Sequence, residues 1–542
     1  MRSFFSLMNR FRSDQRGNLA VIFAIACLPL ISAIGCAIDY SEATRIKAKL
    51  QSAADAAAVA SISQRSNGWL AASTMTTDGE VTVAETDANN IFKGNINAVV
   101  NNLFTLNAGG TSSVVTKTGA TLAATVNFSA DVPVIFMKAA GFSKLTVTGV
   151  SKASVTMPLY LDFYLMLDVS GSMGLPSTQA EQNRLSAVNP DNFSNYPTGC
   201  TFACHFQVQN VCGNGSQRYP TNNYCMGYAY SRLSQSALTA LINQASTPSV
   251  PKAKPGLPNA MLPNLNATVT AGSPNSLLTG NIKSLPYSLA AATSCPTAGT
   301  DACIQLRADA VGYAVNQLIA TANNKQIVAN QFRIGLYPFI QNLYAYFALT
   351  SSINGSPTDS STINYAAANL ATQLDTNTNS NLGSGGTHID TSLNTLNTTY
   401  IKSVGNGSAT TNTLPYVFLV TDGAQDPQTK ALNTSGGWAG SNHATTISTT
   451  PSPCAALKSR GIIVSVLYIP YEPISPVNSS FAGDEDDAAN NNIPHIPPSL
   501  QACASPPDAG GSYFYTANTP TDINTALNAM FNHSIQTAHL TN

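Results

Sequence analysis

Five side chains in the second half of the sequence carry oxygen atoms that could bind one metal ion together. They lie at three points of the chain and are Asp168, Ser170, Ser172, Thr387 and Asp422. Carboxylates and hydroxyls are hard ligands, so this set favours Mg2+, Mn2+ or Ca2+ over zinc. Because the hydroxyls add no charge, two carboxylates only just balance a dication. The metal would stay electrophilic and could accept a carboxylate from a protein partner at an open position.

The segments around these residues predict how they come together. Asp168 follows the apolar run 159–167 and Asp422 follows the run 415–420, so each aspartate ends a predicted buried strand. Thr387 comes after two glycines and before apolar residues at helical spacing, which predicts the start of a helix. Open α/β sheets bind ligands in loops at the carboxyl ends of their parallel strands. We therefore expect the five side chains to meet at one edge of such a sheet.

Other segments alternate between strand and helix patterns. The predicted strands are 332–337, 461–469 and 513–515, and the predicted helices are 304–318, 454–459 and one that begins at Pro520 with Thr519 as its cap. Such alternation predicts a mostly parallel sheet with helices on both faces. The α/β domain is expected to cover residues 158–540.

The D-x-S-x-S motif of Asp168, Ser170 and Ser172, together with the Thr387 loop and the T-D-G at Asp422, resembles the metal-ion-dependent adhesion site of von Willebrand factor A (vWA) domains. The resemblance implies a Rossmann-like fold. It also implies that Ser170, Ser172 and Thr387 coordinate Mg2+ directly, and that both aspartates do so directly or through water. A vWA fold with an empty or merely structural site is the alternative.

A long insertion at about 175–300 departs from the vWA pattern, in which the first helix closely follows the metal loop. The insertion is rich in Pro, Asn, Ser and Gly. Because it leaves the chain beside the metal loop, one interpretation is a lid or a partner-binding surface. The other is a decoration tied together by disulfides and without a specific function.

The cysteines indicate an oxidising compartment. Two of the ten lie in the apolar N-terminal segment, and the other eight form an even set downstream. Six of these eight belong to the insertion or its end: Cys200, Cys204, Cys212, Cys225, Cys295 and Cys303. Disulfides are favoured over a zinc cluster with His205, because the spacings match no common zinc finger and exported thiols tend to oxidise.

One membrane-spanning helix is predicted at residues 19–38. This stretch has no charged residue and is long enough to cross a bilayer at about 1.5 Å per residue. Four arginines precede it against a single aspartate, so residues 1–18 are expected to form a basic cytoplasmic tail, with the rest outside. Helical spacing continues and predicts a membrane-proximal helix over 39–66.

Cleavage of this segment is the alternative to a permanent anchor. A basic start and an apolar stretch also occur in signal peptides, although 19–38 is long for one. Gly17 resembles the cleavage site of type IV pilin-like precursors, but Ile22 stands where those carry Glu. Cys36 after Ala33-Ile34-Gly35 is a poor match to a lipoprotein site. An uncleaved inner-membrane anchor is therefore favoured.

The N-terminal segments 16–24, 39–40 and 50–58 resemble the anchor of TadG-like proteins of tight-adherence (Tad/Flp) pilus systems. The resemblance implies a single-pass inner-membrane protein that supports pilus assembly and adhesion, with other components of the apparatus as partners and a periplasmic C-terminal domain. It also implies a disulfide between Cys454 and Cys503. A surface adhesin that binds host or matrix ligands through the metal is the alternative, and it requires display beyond the outer membrane.

A small β-rich module is predicted between the anchor and the α/β domain, at 67–157. Alternating apolar and polar residues at 120–128 and 145–150 indicate strands, and 135–141 indicates a short helix. This combination predicts an α+β module close to the membrane. No group of residues in it suggests chemistry.

Composition and motifs exclude several functions. With 26 Lys+Arg against 27 Asp+Glu, the chain has no basic stripe, so nucleic acid is not expected as a partner. No motif of a hydrolase, P-loop or dinucleotide-binding enzyme stands out, and the protein is predicted not to be an enzyme. A metal-assisted hydrolase would need an acid or base near Thr387. His388 is adjacent but is expected to be exposed, and the acidic run 484–487 is expected to be a solvated loop.

Overall fold

The computed structural model describes residues 17–97, 103–175, 177–178, 306–375, 379–383, 385–427, 446–471, 473 and 490–540. The chain divides into two compact units, Met1–Met157 and Pro158–Asn542. Several predicted features lie outside the described residues. They are residues 1–16 of the basic tail, nearly all of the insertion, the acidic run 484–487, His205, and the cysteines Cys200, Cys204, Cys212, Cys225, Cys295 and Cys303.

A single helix, α1 (Gly17–Ile62), covers both the predicted membrane-spanning segment and the predicted membrane-proximal helix. Its first half exposes large apolar side chains, among them Ile22, Phe23, Ile25, Leu30, Ile31 and Ile34. Its second half buries the stripe of Ile46 and Leu50. Among the described residues, α1 is the one helix long and apolar enough to cross a membrane.

The second half of α1 packs on a four-stranded antiparallel sheet of the order β1-β2-β3-β4. The remaining elements of this unit are α2 (Asn67–Thr74), β1 (Gly79–Glu80), α3 (Thr82–Asn97), β2 (Thr105–Thr118), β3 (Thr121–Pro133) and β4 (Lys144–Thr156). Alternate residues of β3 are buried, as expected for a sheet covered on one face. Phe128 of β3 stacks on Phe92 of α3, with ring centroids 6.1 Å apart. A short 3-10 turn, Met137–Ala140, lies in the β3–β4 connection.

The second unit is built on a six-stranded sheet of the order β10-β9-β8-β5-β6-β7. The strands are β5 (Leu161–Asp168), β6 (Phe332–Phe339), β7 (Phe347–Thr350), β8 (Leu414–Thr421), β9 (Ile463–Tyr468) and β10 (Phe514–Thr516). All neighbours pair in parallel except β6 and β7. The predicted α/β class with a mostly parallel sheet is confirmed.

Helices cover both faces of this sheet. They are α4 (Arg307–Lys325), α5 (Ile363–Ala368), α6 (Ile389–Thr395, continued as a π-helix to Tyr400), α7 (Pro453–Ser459), α8 (Ile496–Cys503) and α9 (Pro520–Leu540). Met166 of β5 belongs to a core cluster with Leu393 of α6 and Leu457 of α7. Phe163, on the opposite face of β5, packs on Phe531 of α9, at a ring-centroid distance of 5.1 Å. Side chains of β5 thus alternate between the two helical layers.

One disulfide and one backbone hydrogen bond join parts of this unit that are distant in sequence. Cys454 of α7 and Cys503 of α8 form a disulfide, with their Cα atoms 5.0 Å apart. The backbone N–H of Arg307, the first residue of α4, donates to Leu175 O at 2.8 Å. The described ends of the insertion are therefore adjacent, and both lie where β5 delivers its loop.

Candidate metal-binding site

Asp168 ends β5 and is completely buried. Its Oδ1 accepts the backbone N–H of Ser170 at 2.9 Å, and its Oδ2 accepts the hydroxyl of Thr421 at 2.6 Å. Thr421 is the last residue of β8, the parallel neighbour of β5. The two strands therefore deliver their polar C-terminal residues to the same edge of the sheet, as the sequence predicts.

The two serines of the loop after β5 present their hydroxyls side by side. Ser170 Oγ and Ser172 Oγ are 3.2 Å apart, and both residues are buried. The loop turns tightly through the 3-10 segment Gly171–Gly174. Adjacent ligands of an octahedral Mg2+ bound at 2.0–2.1 Å are separated by roughly 3 Å. The serine spacing is close to what two neighbouring ligands of one cation need.

Asp422 follows β8 and is also completely buried. Its Oδ1 accepts the backbone N–H of Ala424 at 3.3 Å, and the nearby Ser172 side chain contributes to lowering the pKa of its carboxyl group. Arg307 Nη1 lies 3.8 Å from Oδ2, which has no hydrogen-bond partner among the described residues. An under-satisfied carboxylate oxygen in the interior is unfavourable and would gain from a cation.

Burial makes these two carboxylates hard to ionise together. Loss of solvent, followed by the charge of Asp422, raises the pKa of Asp168 to about 7, although the hydrogen bonds from Thr421 and Ser170 oppose this. Loss of solvent also raises the pKa of Asp422, against the lowering effect of Arg307. Two like charges in a low-dielectric pocket favour a proton or a bound cation between them.

The loop that carries Thr387 is folded by two glycines with positive φ, Gly385 at 85° and Gly386 at 72°. Such angles suit glycine because it lacks a Cβ. Thr387 then exchanges two backbone hydrogen bonds of 2.9 Å with Asp426, four residues after Asp422. The loop with Thr387 is thus paired with the loop that follows β8, and Thr387 itself is buried.

Three buried polar residues outside the five predicted ligands support these loops. Asp375 receives the backbone N–H of Gly385 at 2.9 Å, while its own N–H donates to Val169 O at 3.0 Å. Gln425 Oε1 accepts two backbone N–H groups from the first residues of α6, the nearer at 2.8 Å. Arg307 supplies the positive charge beside Asp422. No local motif marks Asp375 or Arg307, because each comes from a segment remote in sequence.

The expectation that His388 is exposed is wrong. His388 is 7% exposed, and its backbone N–H donates to Ile340 O at 2.8 Å. That bond holds the residue at the entry of α6, between the loop and the sheet.

The described residues hold no group of three or more His, Cys, Asp or Glu side chains that could bind a metal. The predicted site is of another kind, since three of its five members contribute hydroxyls. Its donor set is entirely oxygen, buried and anionic, which suits Mg2+, Mn2+ or Ca2+. The residues present therefore fit a hard dication, with Ser170, Ser172, Thr387 and the two aspartates as candidate ligands.

Residues 17–64 match a protein family described as putative Flp pilus-assembly TadE/G-like. The match coincides with helix α1 and confirms the TadG-like resemblance of the N-terminal segment. Among curated proteins, no match is found.

Several solved structures share local similarity with this chain. The PilB minor pilin of Streptococcus sanguinis is 9% identical, with 81% of this chain and 79% of that one covered and a TM-score of 0.28. The vWF domain of the type V pili tip protein Mfa5 from Porphyromonas gingivalis is 14% identical, with 43% and 89% covered and a TM-score of 0.24. Proximal thread matrix protein 1 of the mussel byssus is 14% identical, with a TM-score of 0.24. The match covers 42% of this chain and 43% of that protein's length. At these TM-scores the fold assignment rests on the strands and helices described above.

Proposed function

We propose that the protein is a non-enzymatic, membrane-anchored component of a Tad/Flp pilus assembly or secretion apparatus, and that its second unit binds a protein partner through a divalent cation, Mg2+ in the first place. The observation that carries the metal proposal is the convergence of two fully buried aspartates, Asp168 and Asp422, with the hydroxyls of Ser170 and Ser172 at one sheet edge. The family match of residues 17–64 supports the link to pilus assembly.

Anchoring in the inner membrane, with the second unit in the periplasm, is supported by α1 and by the cysteines. The first half of α1 is apolar and exposed, as a lipid-facing helix must be. Four arginines precede it, which favours a cytoplasmic N-terminus. The Cys454–Cys503 disulfide suits the oxidising periplasm.

The charge of the site supports a partner that offers a carboxylate. Arg307 already offsets part of the charge of Asp422, so a bound dication would leave the pocket with excess positive charge. A carboxylate oxygen from a partner would complete the coordination and balance that charge. Other proteins of the pilus apparatus are the proposed source of this group.

Metal binding is tested by thermal unfolding of the full-length protein in detergent, with disulfides intact, against rising Mg2+ or Mn2+. A ligand that binds only the native state raises the melting temperature as its concentration rises. We expect such a rise for the wild type and its loss in Asp168→Asn, which keeps the shape of the side chain but removes its charge.

Asp162→Asn is the matched control, because Asp162 lies on the same strand but pairs with Arg333 at 2.6 Å. This variant should melt at a lower temperature yet keep the full rise with metal. A wild type that shows no rise at any metal concentration would overturn the metal-dependent mechanism and leave the anchoring proposal intact.

A further inference from the structure

The β3–β4 connection exposes an unusual group of large apolar side chains. Ile135 is 74% exposed, Phe142 54% and Phe136 43%. These three residues flank the 3-10 turn Met137–Ala140, in which Lys138 is also exposed. Several large apolar side chains together on a surface mark a contact with a partner or a membrane.

The connection is fastened to helix α1 by Asp39. The carboxylate of Asp39 accepts three backbone N–H groups, from Ile135 at 3.1 Å, Phe136 at 2.8 Å and Met137 at 2.7 Å. Asp39 is itself only 6% exposed, so its charge is satisfied by these donors rather than by water. It is also the first charged residue after the apolar stretch 19–38.

Gly35 brings the same loop against the apolar stretch itself. A Cβ built on Gly35 would come within 2.5 Å of Phe136 Cβ, so glycine is required for this close approach. Gly35 lies one helical turn before Asp39, which is about 6 Å along the helix axis. The Phe136 side chain therefore sits at the level of the last turn of the uncharged stretch.

We propose that the β3–β4 connection is a second membrane contact, in which Ile135, Phe136 and Phe142 insert into the bilayer interface beside the end of the spanning part of α1. This inference rests on the membrane anchoring proposed above and is independent of the metal site. Interfacial segments bury their apolar side chains about 5–10 Å into the boundary between headgroups and acyl chains, and the level of Gly35 matches that depth.

The charges around the loop fit the same partner. Lys138 and Lys144 are exposed on the loop and at the start of β4, where they can reach lipid phosphates. Lys144 also pairs with Asp131. Apolar side chains flanked by lysines are typical of segments that lie in an anionic membrane surface. Two attachments, the helix and the loop, would fix the orientation of the first unit on the membrane.

The test places single reporter tryptophans in the full-length protein, reconstituted in phosphatidylcholine–phosphatidylglycerol vesicles whose acyl chains carry bromine at a shallow or a deep position. Bromine quenches a tryptophan that it can touch, and the fluorescence of the parent protein is subtracted. Three variants are compared: Ile135→Trp for the loop, Ile31→Trp for the spanning helix and Val150→Trp as the control.

Val150 is a matched control because it is 49% exposed and lies in the same unit. Its carbonyl accepts a hydrogen bond of 3.0 Å from Gln51 Nε2 of α1. Gln51 is twelve residues beyond Asp39 in the same helix, or about 18 Å along its axis. A tryptophan at this position should stay in water.

We expect Ile135→Trp to be quenched more by shallow than by deep bromine, Ile31→Trp to be quenched strongly, and Val150→Trp to be unaffected. Quenching of Ile31→Trp without any of Ile135→Trp would overturn the second contact while the anchor stands. If Ile31→Trp also escapes quenching, the helix does not enter the bilayer, and the anchor and the loop contact both fall.

Discussion

The two ends of strand β5 each carry a buried aspartate, and the two aspartates have neighbours of opposite charge. Asp162, at the start of the strand, receives two hydrogen bonds from Arg333, of 2.7 and 2.6 Å. Asp168, six residues later at the end of the strand, has Asp422 as its charged neighbour instead. Because β-strand side chains alternate, a spacing of six residues puts both carboxylates on the same face of the sheet.

Strand β8 repeats the contrast. Thr413, just before β8, donates its hydroxyl to Asp162 Oδ2 at 2.6 Å, and Thr421, the last residue of β8, donates to Asp168 Oδ2 at the same distance. Each aspartate therefore accepts one threonine hydroxyl at the same distance. The two aspartates differ in the charged residue that lies beside them. One end of the sheet is neutralised within the fold, and the other keeps an unbalanced negative charge.

This difference distinguishes a structural polar group from one that can bind a ligand. A buried carboxylate with a bidentate arginine is satisfied, so nothing further is gained by binding a cation. A carboxyl group whose pKa is raised by burial and by a neighbouring carboxylate is a cost to the fold near neutral pH, and proteins retain such costs mostly at functional sites.

The largest expected effect comes from removing the charge at each end in the absence of metal. Asp162→Asn should destabilise the protein by about 3 kcal/mol, the lower end for breaking one partner of a buried ion pair, because Arg333 is partly exposed. Asp168→Asn should leave stability unchanged or raise it, since it removes one of two repelling carboxylates. Denaturant unfolding of the full-length protein in detergent with a metal chelator measures both. An equal loss of unfolding free energy in the two variants would mean that the charges of Asp162 and Asp168 contribute alike to stability.

The pH dependence sharpens the same comparison. In the unfolded chain the pKa of Asp168 has its ordinary value of 3.8, and in the metal-free fold it is raised to about 7. A raised pKa means that the folded state keeps the proton longer. The stability that this group contributes is complete below the ordinary value and is lost as the pH rises through about 7.

The metal-free wild type should therefore lose on the order of 2 kcal/mol more than Asp168→Asn between about pH 5 and about pH 8. Since a cation competes with the proton, the rise in melting temperature with Mg2+ should grow over the same interval. Thermal unfolding at a series of pH values, with chelator and with Mg2+, gives both slopes. Parallel slopes for wild type and variant would show that Asp168 does not titrate in this range.

The sequence predicts those features of this arrangement that depend on neighbouring residues in the chain. It does not predict contacts between residues that are far apart in sequence. The strands β5 and β8 are continuous apolar runs, so their ends, and with them Asp168 and Asp422, could be located from local pattern alone. The class of the fold followed from alternation of such runs with helical spacing. The short edge strand β7 (Phe347–Thr350) was not predicted, because its pattern is too brief.

The polar residues around the site could not be predicted in the same way. Arg307 reaches Asp422 from the start of α4, where the Arg307 N–H bonds to Leu175 O, far away in sequence. Asp375 supports the loop of Thr387 from a segment without any periodic pattern. The local pattern around His388 predicts an exposed polar residue, whereas the residue is buried and its backbone N–H makes a tertiary hydrogen bond to Ile340 O. Local sequence signals contain no information on such pairings.

The smallest expected effect, and the one that isolates the charged partner most directly, comes from the two matched threonines. Thr413→Val removes a hydroxyl donor from Asp162 and an acceptor from Arg333 Nη2. Asp162 keeps both bonds to Arg333, which is partly exposed to water, so a loss of about 0.5–1 kcal/mol is expected. Thr421→Val leaves Asp168 with the Ser170 N–H and also removes the acceptor of the Gly423 N–H, so about 1 kcal/mol more should be lost.

Thr421→Val should also raise the pKa of Asp168 further and reduce the stabilisation by Mg2+, whereas Thr413→Val should not change that stabilisation. Denaturant unfolding with chelator and with Mg2+ measures all of these. If the two valine variants respond alike, the pairing of Asp162 with Arg333 and the proximity of Asp168 to Asp422 do not determine how the two aspartates of β5 behave.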